Sequence, residues 1–546
     1  MDGWLERMRT INISRRGFIR VAAKYLAAGG AAATTGPFII GCRSAAPTTP
    51  SGGQKELVII YGVPRATMDP QNHINTYDES PLGNIFETLV EMDRTIRPDG
   101  WKPKLAVSWR RIDERTVEFK LREGVRFHNG EPFDAEAVKF TIDRFKGRVD
   151  PNLKPPHLTY YGILDRAEPV DRYTVRVITS KPDPIIINRM SGFATRIVSP
   201  KFYSEHNLAF LQENANGTGP YRLVKWVRDG DMILEANEDY WGGPPEFKRV
   251  VIKTVPEAST RVSALLAGDA DIVVAVPMDE MDAINRSGRA RTENVTSNRM
   301  ALWYLHPTKP PTNNKLVRQA LNYAANIDGL LRTVYRGMGR RVATIVAPWA
   351  FGYDPDLKPY PYDPDRAREL LRQSRVELPI NLTIHHIQGR YTKDKEMAEG
   401  IAAELNKLGP QFIRVTTKIY ESGYYYSIFN DRAKRFEVFD GIMFASWGNW
   451  MFDADLYFFP WVHTASTFTC CPDRKDWDAL IEEAQATVDE RKRLELYKRL
   501  QRELFEEAPF IFAHNVEDIY GVSNRVEWKP RQDEMVWAAE MRVRRS

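Results

Sequence analysis

The chain has 546 residues, too many for one hydrophobic core, so we expect two or three domains. Hydrophobic residues make up 43% and charged residues 27%, which excludes a disordered or fibrous protein. The formal net charge is +5, but residues 1–41 hold six basic and two acidic side chains, a surplus of four. The remainder therefore carries only +1, without the basic excess that nucleic-acid binding requires.

The first 42 residues predict an export signal. Arg15 and Arg16 precede an Ala/Gly-rich apolar run over 21–41, an arrangement that resembles a twin-arginine signal peptide. The alternative is a membrane span, but Lys24 and several glycines make the run too short and too polar for one. We therefore expect a periplasmic protein.

Cys42 follows this run at the position of a lipoprotein cysteine. Lipidation there would anchor the chain to the membrane, and no other membrane contact is predicted. Cleavage after Ala46 is the competing outcome and would release a free protein. Residues 43–54 are rich in Pro, Ser, Thr and Gly and predict a flexible linker in either case.

Strands and helices alternate along the rest of the chain. Apolar patterns predict strands at 57–62, 116–121, 172–178, 222–227 and 382–385. Helical periodicity predicts helices through 85–90, from 132 with Asp134 as N-cap, over 256–267 ending at Gly268, from 317, over 395–408, and over 477–505 with a break near Asp489. This alternation indicates an α/β or α+β chain with mixed sheets.

Motifs of the common enzymes are absent from the sequence. No H-E-x-x-H, G-x-x-x-x-G-K-[ST] or G-x-S-x-G occurs. His385 and His386 are neighbours on a strand and point to opposite faces, so they do not form a metal pair. Cys470 and Cys471 are adjacent without C-x-x-C spacing, so we expect them to be structural or tolerated, not redox-active. The sequence predicts no catalytic residue, metal or cofactor.

A series of short motifs extends from residue 103 towards the C-terminus. They are Pro103-x-Leu105-Ala106-x-Ser108-Trp109, Phe119-x-Leu121-Arg122-x-Gly124-Val125-x-Phe127-His128-Asn129-Gly130-x-Pro132-Phe133, Gly217-Thr218-Gly219-Pro220-Tyr221, Asn237-x-x-Tyr240-Trp241-Gly242, Leu266-Ala267-Gly268-x-x-Asp271, Val317-Arg318-Gln319-Ala320-Leu321-Asn322-Tyr323-Ala324, Tyr362-Asp363-Pro364-x-x-Ala367, Asp476-Trp477-Asp478-Ala479-Leu480-Ile481 and Glu507-Ala508-Pro509. In composition and order they resemble the family 5 solute-binding proteins of ABC importers, the peptide/nickel-type group.

This resemblance implies an α/β fold of the periplasmic-binding-protein-like type II. Two lobes would close on a ligand by hinge motion, and an additional domain would be inserted in the first lobe. The expected division is lobe I from 55–86, 217–299 and 512–546, the inserted domain from 87–216, and lobe II from 300–511.

Residues 444–457, FASWGNWMFDADLY, mix aromatic with acidic side chains. In peptide-binding relatives this loop holds an Asp that pairs with the ligand ammonium. With Asp453-x-Asp455 kept in register, that position is Trp450, which can stack on a ring or sugar but cannot form an ion pair. In a shifted register, Asp453 or Asp455 would supply the carboxylate instead.

Arg390 resembles the residue that binds the peptide carboxylate, because Gln388-Gly389-Arg390-Tyr391 lies between a strand and a helix. The alternative is a solvated loop arginine. Tyr391, Trp447 and Trp303 are the aromatic candidates for the pocket walls, and packing within the lobe is the alternative for each.

These features predict an exported, monomeric receptor that delivers a small organic solute to the transmembrane subunits of an ABC permease. Since the ammonium partner is replaced and the carboxylate partner retained, an acid-bearing or sugar-like ligand is favoured over a simple peptide. The alternatives are a di- or oligopeptide receptor of the same family, a secreted hydrolase that uses Asp453 or Asp455, and a chaperone or signalling receptor on the same fold.

The signal peptide yields the first testable prediction. Replacing Arg15 and Arg16 by Lys keeps both charges but removes the guanidinium pair that twin-arginine recognition requires, so precursor should accumulate in the cytoplasm. Fractionation followed by immunoblotting measures this. Export at the wild-type level by the double variant would contradict a twin-arginine signal.

Overall fold

The computed structural model describes residues 56–73, 75–92, 100–228, 230–388 and 390–545. The predicted export signal with Arg15 and Arg16, Cys42, and the linker 43–54 lie outside these residues. In chain order the strands are β1 Glu56–Tyr61, β2 Val90–Met92, β3 Trp101–Pro103, β4 Ala106–Asp113, β5 Thr116–Leu121, β6 Leu164–Asp171, β7 Thr174–Thr179, β8 Tyr221–Trp226, β9 Met232–Ala236, β10 Arg249–Thr254, β11 Ile272–Val274, β12 Ala290–Leu305, β13 Arg340–Arg341, β14 Ile380–Ile387, β15 Ile413–Tyr420, β16 Ile442–Trp447, β17 Phe510–Ser523, β18 Val526–Glu527 and β19 Arg542–Val543.

The α-helices are mostly short. In chain order they are α1 Thr76–Leu82, α2 Ala135–Phe145, α3 Leu158–Tyr161, α4 Ile186–Arg189, α5 Pro200–Glu205, α6 Leu208–Leu211, α7 Ala258–Ala267, α8 Met281–Arg286, α9 Lys315–Ala324, α10 Ile327–Thr333, α11 Pro364–Gln373, α12 Asp394–Asn406, α13 Ser422–Phe429, α14 Arg432–Val438, α15 Asp455–Val462, α16 Lys475–Ala486 and α17 Glu490–Glu507. Within the described ranges, none of them has both the length and the apolar character needed to cross a bilayer.

One large mixed sheet extends through both lobes, in the strand order β15-β14-β16-β12-β17-β11-β1-β10-β9-β8, with β13 paired to β17. β1 is parallel to both of its neighbours, β10 and β11. Its apolar side chains are buried on both faces: Leu57 and Ile59 in one core, and Ile60 in another. This burial explains why the strand is a continuous apolar run without polar alternation.

Strands β12 and β17 cross from one lobe to the other as an antiparallel pair. The first half of β12 lies in the lobe of β1, and its second half pairs with β16, where Trp303 is opposite Phe444. The register shifts between Thr296 and Met300, so residues 297–299 form a bulge at the crossing. The predicted lobe boundaries at 299/300 and 511/512 fall within these two strands and stay a prediction.

The inserted region has its own four-stranded antiparallel sheet, in the order β4-β5-β7-β6, which packs against α2. The Asp134 side chain accepts the N–H of Glu136, so the predicted N-cap of this helix is confirmed. Met451 and Leu456, which follow β16 in the second lobe, join the hydrophobic core of this region. The inserted domain is therefore packed against the second lobe as well as connected to the first.

Several predicted element boundaries are confirmed. Gly268 adopts φ 89° directly after α7, as a left-handed C-cap requires. Asp489 separates α16 from α17 and caps the latter by accepting the N–H of Lys492. The predicted strands at 57–62 and 116–121 correspond to β1 and β5.

The predicted helix through 85–90 is wrong. Helix α1 ends at Leu82, and the following chain is irregular until β2 begins at Val90. The carbonyls of Asn84 and Ile85 accept the N–H groups of Tyr221 and Gly219, at 3.0 and 2.8 Å. Pairing with a segment more than 130 positions away overrides the local helical pattern, and the sequence alone did not show that partner.

Gly217 shows how closely these two segments approach. A Cβ atom at this position would lie 2.1 Å from the carbonyl oxygen of Ile85. The next residue, Thr218, donates its hydroxyl to Glu87 at 2.9 Å. The Gly-Thr-Gly-Pro-Tyr motif therefore serves the junction between the inserted domain and the first lobe.

The second prediction tests this junction. Gly217→Ala should lower the free energy of unfolding by about 1–3 kcal/mol, because the added methyl group meets a backbone carbonyl that cannot move aside alone. Urea denaturation measures the loss. Gly423→Ala is the control, since its Cβ would meet only the end of the exposed Glu421 side chain, at 3.2 Å. Equal stability of the two variants would contradict the close approach.

Candidate ligand-binding site

Two guanidinium groups flank the ring of Tyr391 beside the crossing strands. Cζ of Arg390 lies 5.3 Å from the centre of this ring, and Cζ of Arg299 lies 5.5 Å from it. Arg390 also packs on Tyr426, at 4.6 Å. The loop after β14 is held in place by Asp394, whose carboxylate accepts the N–H groups of residues 390 and 391, each at 3.2 Å.

The two arginines differ in how their charge is neutralised. Arg299 pairs with Glu534 through two hydrogen bonds, one of them 2.9 Å long, and Glu534 also accepts the hydroxyl of Thr76 at 2.6 Å. Among the described residues, no carboxylate lies within 4 Å of the Arg390 guanidinium. Arg390 is therefore a cation without an anionic partner, and it is placed to bind one.

The charge excess also acts on Tyr391. Burial raises the pKa of its hydroxyl, but Arg390, Arg299 and a hydrogen bond with Tyr426 together outweigh burial and hold the pKa below its ordinary value. A phenol between two guanidiniums donates a strong hydrogen bond. The arrangement suits an acidic group of a ligand.

Trp447 and Trp450 pack against the inserted domain. Trp450 stacks on Phe193 with ring centres 4.7 Å apart, and its Nε1 donates to the hydroxyl of Tyr161 at 3.0 Å. Trp447 donates to the carbonyl of Leu456 at 2.8 Å. Trp450 also borders a cavity of about 40 Å³, room for about one water molecule. Much of the aromatic surface in 444–457 thus serves a domain contact.

Asp453 and Asp455 are engaged in buried contacts. Asp453 forms a bidentate ion pair with Arg493, at 2.6 and 2.7 Å. Asp455 accepts from Gln485 at 2.6 Å and lies 3.6 Å from Arg189 of the inserted domain. Burial raises the pKa of Asp455, and Arg189 partly opposes this. Both carboxylates already have partners, so neither is free for the acid–base work of a hydrolase.

Trp303 is fully buried in the core of the second lobe. Its ring lies 4.9 Å from Phe444, whose ring in turn is 5.7 Å from Tyr391. On the opposite side, a Cβ atom on Gly448 would lie 3.1 Å from Nη2 of Arg299, which places the loop of Trp447 and Trp450 next to this arginine.

The predicted site residues thus fall into three groups: Arg390 with Tyr391, the Trp447–Trp450 pair, and the fully buried Asp453 and Trp303. Sequence reasoning missed Arg299 and Tyr426. Arg299 could have been predicted as a site residue, because it is a charged residue at the predicted lobe boundary. Nothing in the local sequence pattern indicated Tyr426. Within the described part of the chain, no three His, Cys, Asp or Glu side chains come together as metal ligands.

Comparison with known proteins identifies the family. Residues 100–469 match the model of the bacterial extracellular solute-binding proteins, family 5 middle. The chain belongs to this family. It is 30% identical over 477 residues to a dipeptide-binding protein of Escherichia coli K12, covering 81% of this chain and 85% of the relative. A haem-binding protein A of Haemophilus influenzae is 28% identical over 462 residues, covering 79% and 82%.

A solved structure shows the same fold. The periplasmic binding protein DppA of Helicobacter pylori, in complex with the peptide STSA, has a TM-score of 0.75 at 24% identity and covers 89% of this chain and 98% of its own. The predicted type II fold is confirmed. As a family 5 protein, the chain is the substrate-binding component of an ABC importer and not an enzyme.

The third prediction concerns Asp453. Asp453→Asn leaves Arg493 buried without an anion, so the free energy of unfolding should fall by about 3–5 kcal/mol in urea denaturation at pH 7. Glu238→Gln, which breaks an exposed pair with Lys248, is the control and should change it by no more than about 1 kcal/mol. A small effect of Asp453→Asn would mean that this carboxylate is free for a ligand.

Proposed function

We propose that this protein captures short peptides in the periplasm and delivers them to an ABC permease, and that Arg390 binds the peptide's terminal carboxylate. The observation that carries the proposal is the unpaired Arg390 guanidinium between Tyr391 and Tyr426. Export through Arg15 and Arg16 and a lipid on Cys42 belong to the same proposal.

A peptide now fits better than the acid-bearing or sugar-like ligand that the sequence favoured. The sugar-like part of that preference needed a Trp450 ring free to stack on a ligand, but Phe193 covers one face of the indole at 4.7 Å and Tyr161 accepts its N–H. The E. coli relative is a dipeptide-binding protein. The Arg390 guanidinium still favours a ligand with an acidic group, and the terminal carboxylate of a peptide is such a group.

Both lobes contribute to the space around Arg390. Tyr77, in α1 of the first lobe, lies near enough for Arg390 and Arg299 to lower the pKa of its hydroxyl, although burial raises that pKa more. A ligand held by Arg390 would therefore touch residues of both lobes, as closure by hinge motion requires.

The fourth prediction tests the carboxylate contact. Wild-type protein should bind dipeptides about ten- to a hundredfold more tightly than the same peptides with an amidated C-terminus, because a hydrogen-bonded charge pair contributes about 1.5–3 kcal/mol. Arg390→Ala should remove this preference. Titration calorimetry with di- to tetrapeptides, their amides and haemin measures both effects.

Arg414→Ala is the matched control, because this arginine is exposed on β15 and should leave binding unchanged. Peptide binding that survives Arg390→Ala with the same preference for the free acid would place the carboxylate contact elsewhere. Tight binding of haemin together with no binding of any peptide would overturn the proposed function.

A further inference from the structure

Two carboxyl groups, Glu534 and Asp518, act on a single guanidinium where the lobes cross, and a third, Glu517, lies beside Asp518. Glu517 and Asp518 lie on β17, Glu534 comes from the C-terminal segment, and Arg299 belongs to the bulge in β12. Glu534 is paired with Arg299. The cluster therefore contains more carboxyl groups than cations.

The other two carboxyl groups differ in their partners. Glu517 accepts hydrogen bonds from Asn294 and Thr296 across the strand pair. Asp518 points to the other face of β17, since neighbours in a strand alternate. Its side chain is partly exposed, but its Oδ2 atom is shielded from solvent and has no hydrogen-bond partner among the described residues.

Other carboxylates near the candidate site already have cationic partners. Around the small cavity beside Trp450, Glu79 pairs with Arg196 and Asp533 pairs with Arg531. Glu91, also at this cavity, lies 2.8 Å from Lys102 and 3.2 Å from Lys104. Glu79 shares with Asp518 a buried oxygen without a hydrogen-bond partner, but it is ion-paired with Arg196. Asp518 differs from all three because, among the described residues, it has no ion-pair partner.

Asp518 and Arg390 are complementary. Asp518 is an acid without an ion-pair partner, and Arg390 is a cation without one. Both lie near Arg299: the charge of Asp518 raises the pKa of Arg299, and Arg299 packs on Tyr391 beside Arg390. We infer that Asp518 binds the N-terminal ammonium of the peptide whose carboxylate Arg390 holds. This inference rests on the proposed function and adds the second anchor of the same ligand.

The charges around Asp518 also predict a proton release. Burial raises the pKa of Asp518 well above its ordinary value, Glu534 and Glu517 raise it further, and Arg299 and a hydrogen bond from Ser297 oppose the shift. Tyr520, two residues along the same strand, also faces this carboxyl group. This shift favours the protonated carboxyl group in the ligand-free protein, and an arriving ammonium favours its ionised form.

Binding to a protonated Asp518 thus transfers its proton from the carboxyl group to the buffer, while the ammonium keeps its own protons. Affinity should rise with pH, by at most about tenfold per pH unit, between the pKa values of the bound and the free protein. The rise should stop near the pKa of a peptide amino terminus, about 8, where the ligand loses its charge.

The fifth prediction combines two calorimetric measurements. Titrations of a dipeptide into the wild type, in buffers of different ionisation enthalpy at one pH, should show release of up to one proton. Asp518→Asn should release none and bind about ten- to a hundredfold more weakly. The N-acetylated dipeptide should bind the wild type weakly without proton release, and Asp518→Asn should not distinguish it from the free dipeptide.

Asp239→Asn is the control, because it makes the same change at an exposed position. If Asp518→Asn unfolds, the wild-type comparison of free and N-acetylated peptide still decides. Arg390-dependent binding without proton release, and with equal affinity for the acetylated peptide, overturns the role of Asp518 alone. Absence of peptide binding to the wild type overturns the proposed function as well.

Discussion

The antiparallel pairing of β12 with β17 is the constraint on which the two-lobed structure depends. Its hydrogen bonds extend through both lobes, so the lobes share one sheet and are not joined by a loose linker. The ladder is interrupted at residues 297–299, where an unmatched bulge bends the strand. Arg299 lies in this bulge, where it pairs with Glu534 and packs on Tyr391.

Buried ion pairs hold the three parts of the molecule in register. Arg144 joins the inserted domain to Asp69 of the first lobe, and Arg189 joins it to Asp455 of the second. Such pairs add little net stability, because desolvation offsets their attraction, but separating the partners is strongly unfavourable. They specify which surfaces meet. Asp455 serves that purpose, whereas Asp453 pairs with Arg493 within the second lobe. In the proposed function, the ligand is bound by Arg390 and by groups at the crossing.

Much of the fold could be predicted from sequence, because the signals are local. Asp134, Gly268 and Asp489 mark helix ends by capping chemistry that needs only a few neighbouring residues. The apolar segment 85–90 was predicted wrongly because its backbone partners come from residues 219–221. The candidate site was harder to predict from sequence for the same reason. Arg390 could be found through its motif, whereas the absence of a partner for it, or for Asp518, depends on the whole tertiary structure.

The packing of Met451 into the core of the inserted domain affects how long a ligand stays bound. An opening that separates the inserted domain from the second lobe withdraws this fully buried side chain into water, at a free-energy cost of about 1.5–3 kcal/mol. That alone makes opening about ten- to a hundredfold rarer. The contact does not touch the ligand, so it lengthens the residence time of every ligand by the same factor and leaves their ranking unchanged. With the proposed site, selectivity and retention depend on different residues, so a substitution can change one without the other.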